Sequence, residues 1–453
     1  MMALRERFTQ HPLLPTAVIE QQNRWRERWG MQPKSPKQGE DWEYYFDPTL
    51  IQGGTPNDPR QRLRFALLHS QQQGTKYFLT GAKGAGKSTT AYALWDDPEI
   101  TQKYTLLGFT IHDYLNLVET DASQIIAVMI AHLVEFLRDA HQDAKFEDLE
   151  ARAAVQDLRG ILKTLKPRAK LQQVNLNVFG WFTAIFKESA PARTQFREFI
   201  DGRFDEVMDL LDDLNASLEA YTQRKTLFVI DDLDKILSDD VRRRVFQAQL
   251  PMLLRPRCAA LYSYPIEVDH DPSFESLKRG QSNRYLLANV KLVPSRDGPM
   301  LAEGRQVMTE LVLRRLGRKP LSDVIRLSDA QWDRVLHYTA GNFRELSRLL
   351  SHAFEIAAMD GKTLADQKCF ELALERVRAD YNMFVQQYRG FLNQVGDGHR
   401  SQQQVAPAPQ EIDPELLSKL LAAFAVVEYP NEPGWLGLNP IVADLLEGTP
   451  SRL

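Results

Sequence analysis

The stretch KYFLTGAKGAGKSTT, residues 76–90, limits what this chain can fold into more than any other part of it. An apolar run leads into a glycine loop, and the loop leads into residues that begin a helix. Gly81, Gly86, Lys87 and Ser88 satisfy the pattern G-x-x-x-x-G-K-[ST]. Successive backbone N–H groups can turn inward around a polyanion only where glycine removes the steric cost. The helix that follows points the positive end of its dipole at the same anion. The expected cradle is Gly81, Ala82, Lys83, Gly84, Ala85, Gly86, Lys87, Ser88 and Thr89. Lys87 is spaced to reach β- and γ-phosphate oxygens, and the Ser88 hydroxyl to hold Mg²⁺. A nucleoside triphosphate is the expected ligand.

A second constellation lies downstream in FVIDDLD, residues 228–234. An apolar strand ending in acids puts carboxylates at the C-terminal edge of a sheet, where ligands collect in open α/β folds. Asp231 is expected to hold Mg²⁺ through water or through Ser88. Asp232 is expected to orient or deprotonate the attacking water. Asp234 either does the same or holds a neighbouring loop.

Composition sets outer bounds. At 453 residues the chain has room for two or three domains. A formal net charge of −4 argues against a wholesale polyanion binder, while leaving room for local basic patches. Cys258 and Cys369 are the only cysteines, which excludes a disulfide framework and suits a reducing, cytoplasmic location. The N-terminal residues mix arginine with glutamate and lack the apolar core of a leader. The longest apolar run, 178–186, is about half the length that a membrane-spanning helix requires.

Taken in order, residues 1–60 read as an N-terminal extension with a helix near 18–29, then many aromatics that either pack on the main domain or form a partner-binding arm. Residues 61–300 read as a core with a helical insert at about 140–224. Its expected helices cover 59–73, 87–95, 122–138, 146–165, 194–222 and 239–247, and its strands the apolar opening of 76–90, then 104–111, 226–232, 258–264 and 286–292, with a hairpin in 171–186. That alternation implies α/β architecture with a mostly parallel sheet. Aromatics at 179–186 mark either a subunit or effector contact or a satellite core. Residues 301–395 are all helix, with capping boxes at Ser328/Gln331 and Asn342/Glu345 and stops at Gly317 and Gly361. A polar linker, 396–413, precedes a small C-terminal α/β module, 414–453, with a helix, a turn at 431–434 and another helical stretch.

With both constellations in place, the chain resembles the P-loop ATPases of the AAA+/STAND superclass, including the KAP-type ATPases, over about residues 60–390. The resemblance implies an ATPase core with a helical lid. It nominates Ser263 as a polar sensor of the γ-phosphate or the water, and Arg344, in GNFREL, as a lid arginine that touches nucleotide. Arg279 and Arg284 fall where such proteins often supply an arginine finger to a neighbouring subunit. Three departures stand out. KAP proteins commonly carry membrane segments where this chain has its insert. Asp232 is one methylene shorter than the usual glutamate, which implies slow hydrolysis. The C-terminal module lies outside the shared pattern and faintly resembles appended winged-helix modules.

No N-K-x-D or L-S-G-G-Q motif follows, which speaks against a GTPase or an ABC ATPase. The expected function is an ATP-hydrolysing switch of bacterial signalling or defence type that forms homo-oligomers and controls an effector protein. The alternative is a DNA-associated loader or transposition regulator using the basic runs 242–244 and 314–319. Nucleic acid is the less favoured partner, and no membrane is expected.

Overall fold

The computed structural model describes residues 58–140, 190–236, 238–270, 283–294, 298–315, 320–401, 413–429, 435–448 and 453. The expected helices at 18–29 and 146–165, the hairpin at 171–186, Gly317, Arg279 and most of the linker lie outside those residues.

Helix α1 (Pro59–His69) precedes β1 (Lys76–Gly81), and α2 (Lys87–Ala93) follows the glycine loop. Then come α3 (Pro98–Lys103), β2 (Tyr104–Thr110), α4 (Ile111–Tyr114) and α5 (Ala122–Ala140). The expected helix over 194–222 is two helices, α6 (Ala190–Gly202) and α7 (Phe204–Thr222), separated at Arg203, whose φ of −133° leaves the helical region. Strand β3 (Lys225–Asp231) carries the acids. The basic helix α8 (Asp239–Arg243) loosens into a π turn before α9 (Leu250–Leu254). Strand β4 (Ala259–Ser263), helix α10 (Ile266–His270) and β5 (Arg284–Leu287) complete the core.

All pairings in the core sheet are parallel, in the order β2-β3-β4-β1-β5. Each strand alternates between two buried faces, which is why the strands read as near-continuous apolar runs. Phe78, Phe109, Phe228, Ile230 and Tyr262 pack beneath α5, α6 and α7. Tyr77, Leu79, Leu106, Leu227, Val229 and Leu261 pack beneath α1, α2 and α3. The sequence expectation of an α/β fold with a mostly parallel sheet holds. Strand β5 begins two residues earlier than expected and stops at Leu287.

The segment expected as an all-helical lid follows as α11 (Ala302–Arg315), β6 (Ile325–Arg326), α12 (Asp329–Tyr338), α13 (Phe343–Met359), β7 (Ala365–Asp366) and α14 (Gln367–Ser401), and it is not all helix, because β6 and β7 pair in parallel. The reciprocal box at Ser328 and Gln331 forms, whereas at the next helix only the Asn342 side chain caps, accepting from Arg344 and Glu345 N–H. Helix α14 runs through Gly396 and Gly398 to Ser401, past the expected start of the linker. The C-terminal module is α15 (Pro414–Ala422), an antiparallel pair β8 (Val426–Tyr429) and β9 (Trp435–Leu438), and α16 (Pro440–Glu447). The two strands give the module the α/β character expected of it, and the expected turn at 431–434 lies outside the described residues.

Core and lid are joined at Gly341. Its φ of +70° is left-handed, and a Cβ there would stand 1.8 Å from the Val290 carbonyl oxygen. Val290 N–H in turn donates to the Gly341 carbonyl at 3.0 Å. Gly341→Ala is therefore expected to lower unfolding stability by ~3 kcal/mol, through left-handed strain plus a backbone clash that flexible side chains cannot relieve. Urea denaturation monitored by circular dichroism measures it.

Candidate functional site

The parallel register brings the functional residues to one edge of the sheet. Thr110 at the end of β2 pairs with Asp231 at the end of β3, and Leu79 in β1 pairs with Ser263 at the end of β4. Gly81 ends β1, so the glycine loop leaves the sheet on the same edge as the acids. Strand β4 lies between β1 and β3 and sets Ser263 between loop and carboxylates.

Lys87 opens α2 and is only 6% exposed. Its ammonium donates to the carbonyls of Gly81 (2.7 Å) and Ala82 (3.1 Å) and pairs with Asp234 at 3.0 Å. Asp231, Asp232 and Asp234 each offer a carboxylate oxygen, and these atoms lie within 4.8 Å of one another. Sequence left Asp234 with two roles; here it holds the lysine that ends the glycine loop.

The three acids have different environments. Asp231 is buried, and neither of its oxygens has a hydrogen-bond partner. Burial above all, then the neighbouring Asp232 and Asp234, pushes its pKa up to about 6; Ser88 acts against that rise without making a well-formed hydrogen bond. Asp232 is also buried, and burial alone would raise it. His112 and Lys235 more than offset that, so its carboxyl lies below the usual range. His112 Nδ1 is hydrogen-bonded to one Asp232 oxygen, and the Lys235 ammonium sits 2.6 Å from the other. The residue adopts a left-handed φ of 71°, which aspartate tolerates better than most side chains. One acid whose pKa is raised beside one whose pKa is lowered is a pairing suited to proton handling.

Ser263 is buried with its Oγ unpartnered, as a residue kept to contact something else would be. Arg344 is exposed and sits at the first turn of α13, directly against the phosphate loop. A Cβ on Gly84, whose φ is +91°, would come within 2.5 Å of both the Arg344 Cβ and the Asn342 Oδ1. Asn342 Nδ2 donates to the Lys83 carbonyl at 2.9 Å and to Asn289 Oδ1 at 2.9 Å. The cap of a lid helix thus also clasps the loop. Arg284 is committed within the chain, its guanidinium 2.8 Å from Asp269.

Three participants escaped the sequence reading. His112 lies two residues past β2, and only the β2–β3 register shows that it overhangs the acids. Arg60, in α1, is buried; its Nε donates to Thr90 Oγ1 at 3.2 Å and its Nη2 to the Ala85 carbonyl at 3.3 Å. It braces the loop from behind. The C-terminal module forms a third wall: Phe424, Val427 and Tyr429 pack with Ala340 against Ala82, and the Tyr429 hydroxyl donates to the Ala340 carbonyl at 2.6 Å.

No protein-family model matches the sequence, and no curated protein matches it. Among solved structures, the chain is similar to Cdc6p from Pyrobaculum aerophilum, at 11% identity and a TM-score of 0.35, covering 89% of this chain and 98% of that one. It is similar also to the Aeropyrum pernix ORC2 protein, solved as ADPNP–ADP complexes, at 12% identity and a TM-score of 0.38 over 89% and 98% of the two chains. A chain of Drosophila ORC bound to DNA matches at 14% identity and a TM-score of 0.34 over 94% and 98%. Likeness at this level carries no functional weight; the fold class rests on the sheet order and the loop it positions. Among the described residues, no helix is long and apolar enough to cross a membrane.

The raised pKa of Asp231 gives a stability signature. Below its ordinary value of 3.8 the acid is neutral in folded and unfolded chains alike. Above that, the unfolded chain ionises first, and stability is lost as pH rises through about 6. Asp231→Asn is expected to be more stable than the parent protein at neutral pH by ~3 kcal/mol, with the gain growing between about pH 3.8 and 6 and levelling off above that. Paired urea titrations across that range measure it.

Proposed function

We propose that this chain binds Mg·ATP at the edge shared by the glycine loop and the three acids, and hydrolyses it slowly as a molecular switch. One observation carries the reading: a buried lysine ammonium and three clustered carboxylates lie at the sheet edge from which the glycine loop departs. The donor set fits the ligand. Oxygen ligands suit a hard cation, and the unpartnered Asp231 oxygens and Ser263 hydroxyl are buried polar groups that such a ligand would satisfy. Loop amides and Lys87 would take the phosphates, Ser88 and Asp231 the Mg²⁺, and bound Mg²⁺ would neutralise phosphate charge. Ionised Asp232, aimed by His112 and Lys235, would orient or deprotonate water. Ser263 would contact the γ-phosphate or that water, and Arg344 would tie nucleotide to the lid.

On this reading the lid angle reports nucleotide state to an effector protein, in a homo-oligomer completed by an arginine finger. Arg279 keeps its candidacy; Arg284 would first have to leave Asp269. A DNA-associated role is less well supported. Arg242, the first residue of the basic run 242–244, is buried and paired with Asp239 and Glu267, so it does not face a polyanion. A DNA titration at several salt concentrations separates the two roles, because phosphate contacts give a steep slope.

The direct test is calorimetric titration of the full chain with Mg·ATP. Lys87→Ala is expected to weaken binding at least about tenfold. Asp232→Asn, chosen because asparagine tolerates the left-handed backbone, should keep binding and lose turnover by about a hundredfold. Turnover per protein should rise with protein concentration if a finger acts between subunits. A parent protein that ignores Mg·ATP defeats the proposal.

A further inference from the structure

We infer that Asp234 is the counter-ion a triphosphate must displace from Lys87, and that its release is what couples nucleotide binding to Mg²⁺ binding. The inference rests on the nucleotide reading above and deepens it. The Lys87 ammonium has three protons and three acceptors: the Gly81 carbonyl, the Ala82 carbonyl and the Asp234 carboxylate. All three of its donors are thereby engaged inside the protein. A lysine so satisfied cannot reach a phosphate oxygen without giving up at least one partner. The carboxylate is the one a phosphate replaces in kind, anion for anion. Lys87 is 6% exposed at its side chain and Asp234 12%, so the exchange happens with little water to soften it.

The displaced carboxylate does not move into solvent. It already lies within 4.8 Å of the oxygens offered by Asp231 and Asp232. While Lys87 neutralises Asp234, the acid edge presents less net charge to a cation. Once triphosphate has taken the lysine, the same edge carries one more unpaired negative charge, beside Asp231 oxygens that have no hydrogen-bond partner. Cation affinity then rises because triphosphate is bound, and by linkage triphosphate affinity rises because the cation is bound. Asp234 acts here as a positioning residue. It sets the cost of loading and the size of the coupling.

The test is calorimetric titration of the full chain with ATP at about pH 8, in EDTA and separately in Mg²⁺, for the parent protein and for Asp234→Asn, Asp234→Ala, Asp234→Glu and Asp231→Asn. In EDTA, Asp234→Asn and Asp234→Ala should each bind ATP about tenfold tighter than the parent, with Asp234→Glu close to it. Without nucleotide both neutral variants should melt at a lower temperature, because a buried ammonium has lost its partner. The factor by which Mg²⁺ tightens ATP binding should shrink in both. Asp231→Asn removes an equal charge that does not touch Lys87, and in EDTA it should gain much less. Two results overturn the inference: neutral Asp234 variants that bind metal-free ATP no better than the parent, or Asp231→Asn gaining as much as Asp234→Asn, which would make the effect general repulsion. A parent protein that binds ATP in neither buffer overturns the nucleotide reading, and this inference with it.

Discussion

An ammonium group cannot be left in a protein interior without partners, since losing its hydration costs several kcal/mol. The geometry at this sheet edge follows from that constraint on Lys87. Two of its acceptors come from the loop that carries it, and the third comes from another strand's end. Strand β3 is two places from β1 in the sheet, about 10 Å by ordinary strand spacing, so Asp234 has to reach back across the end of β4. The short helical turn Leu233–Lys235 performs that reach, and it needs Asp232 to adopt a left-handed backbone at the strand's end. His112 and Lys235 then hold Asp232 in place. One buried cation thus accounts for the acid spacing, the local strain and the histidine.

The three acids show how one residue type yields three behaviours from surroundings alone. Asp234 is neutralised by an ion pair, Asp232 is kept ionised by two donors, and Asp231 is pushed toward its protonated form. Asp231 is the thermodynamic debtor of the group. A buried carboxylate with no hydrogen-bond partner works against folding.

Much of this was legible in the sequence. The two-faced apolar strands announced a covered parallel sheet, and the glycine spacing located the loop. Local chemistry also carried through where it sufficed, as at the Ser328–Gln331 capping box. What escaped notice depended on register or on distant packing. His112 acquires meaning only when β2 lies beside β3 with Thr110 opposite Asp231. Arg60 looks like a surface helix arginine until α1 folds behind the loop. The strands of the C-terminal α/β module could not be placed from sequence because four-residue strands give too few alternations to show a period. Helix α14 outran its expected end because glycine lowers helix propensity without forbidding the conformation.

The wall that Phe424, Val427 and Tyr429 build against Ala82 has a bearing on biosynthesis. A polypeptide emerges from the ribosome N-terminus first, and domains generally fold in that order. The glycine loop is therefore translated well before the residues that enclose it: Asn342 follows Lys83 by 259 positions, and Tyr429 comes later still. Contacts so far apart are slow to close. A nascent chain already long enough to form its sheet would still hold Ala82 open to water, and this wall would close only after Tyr429 has been made.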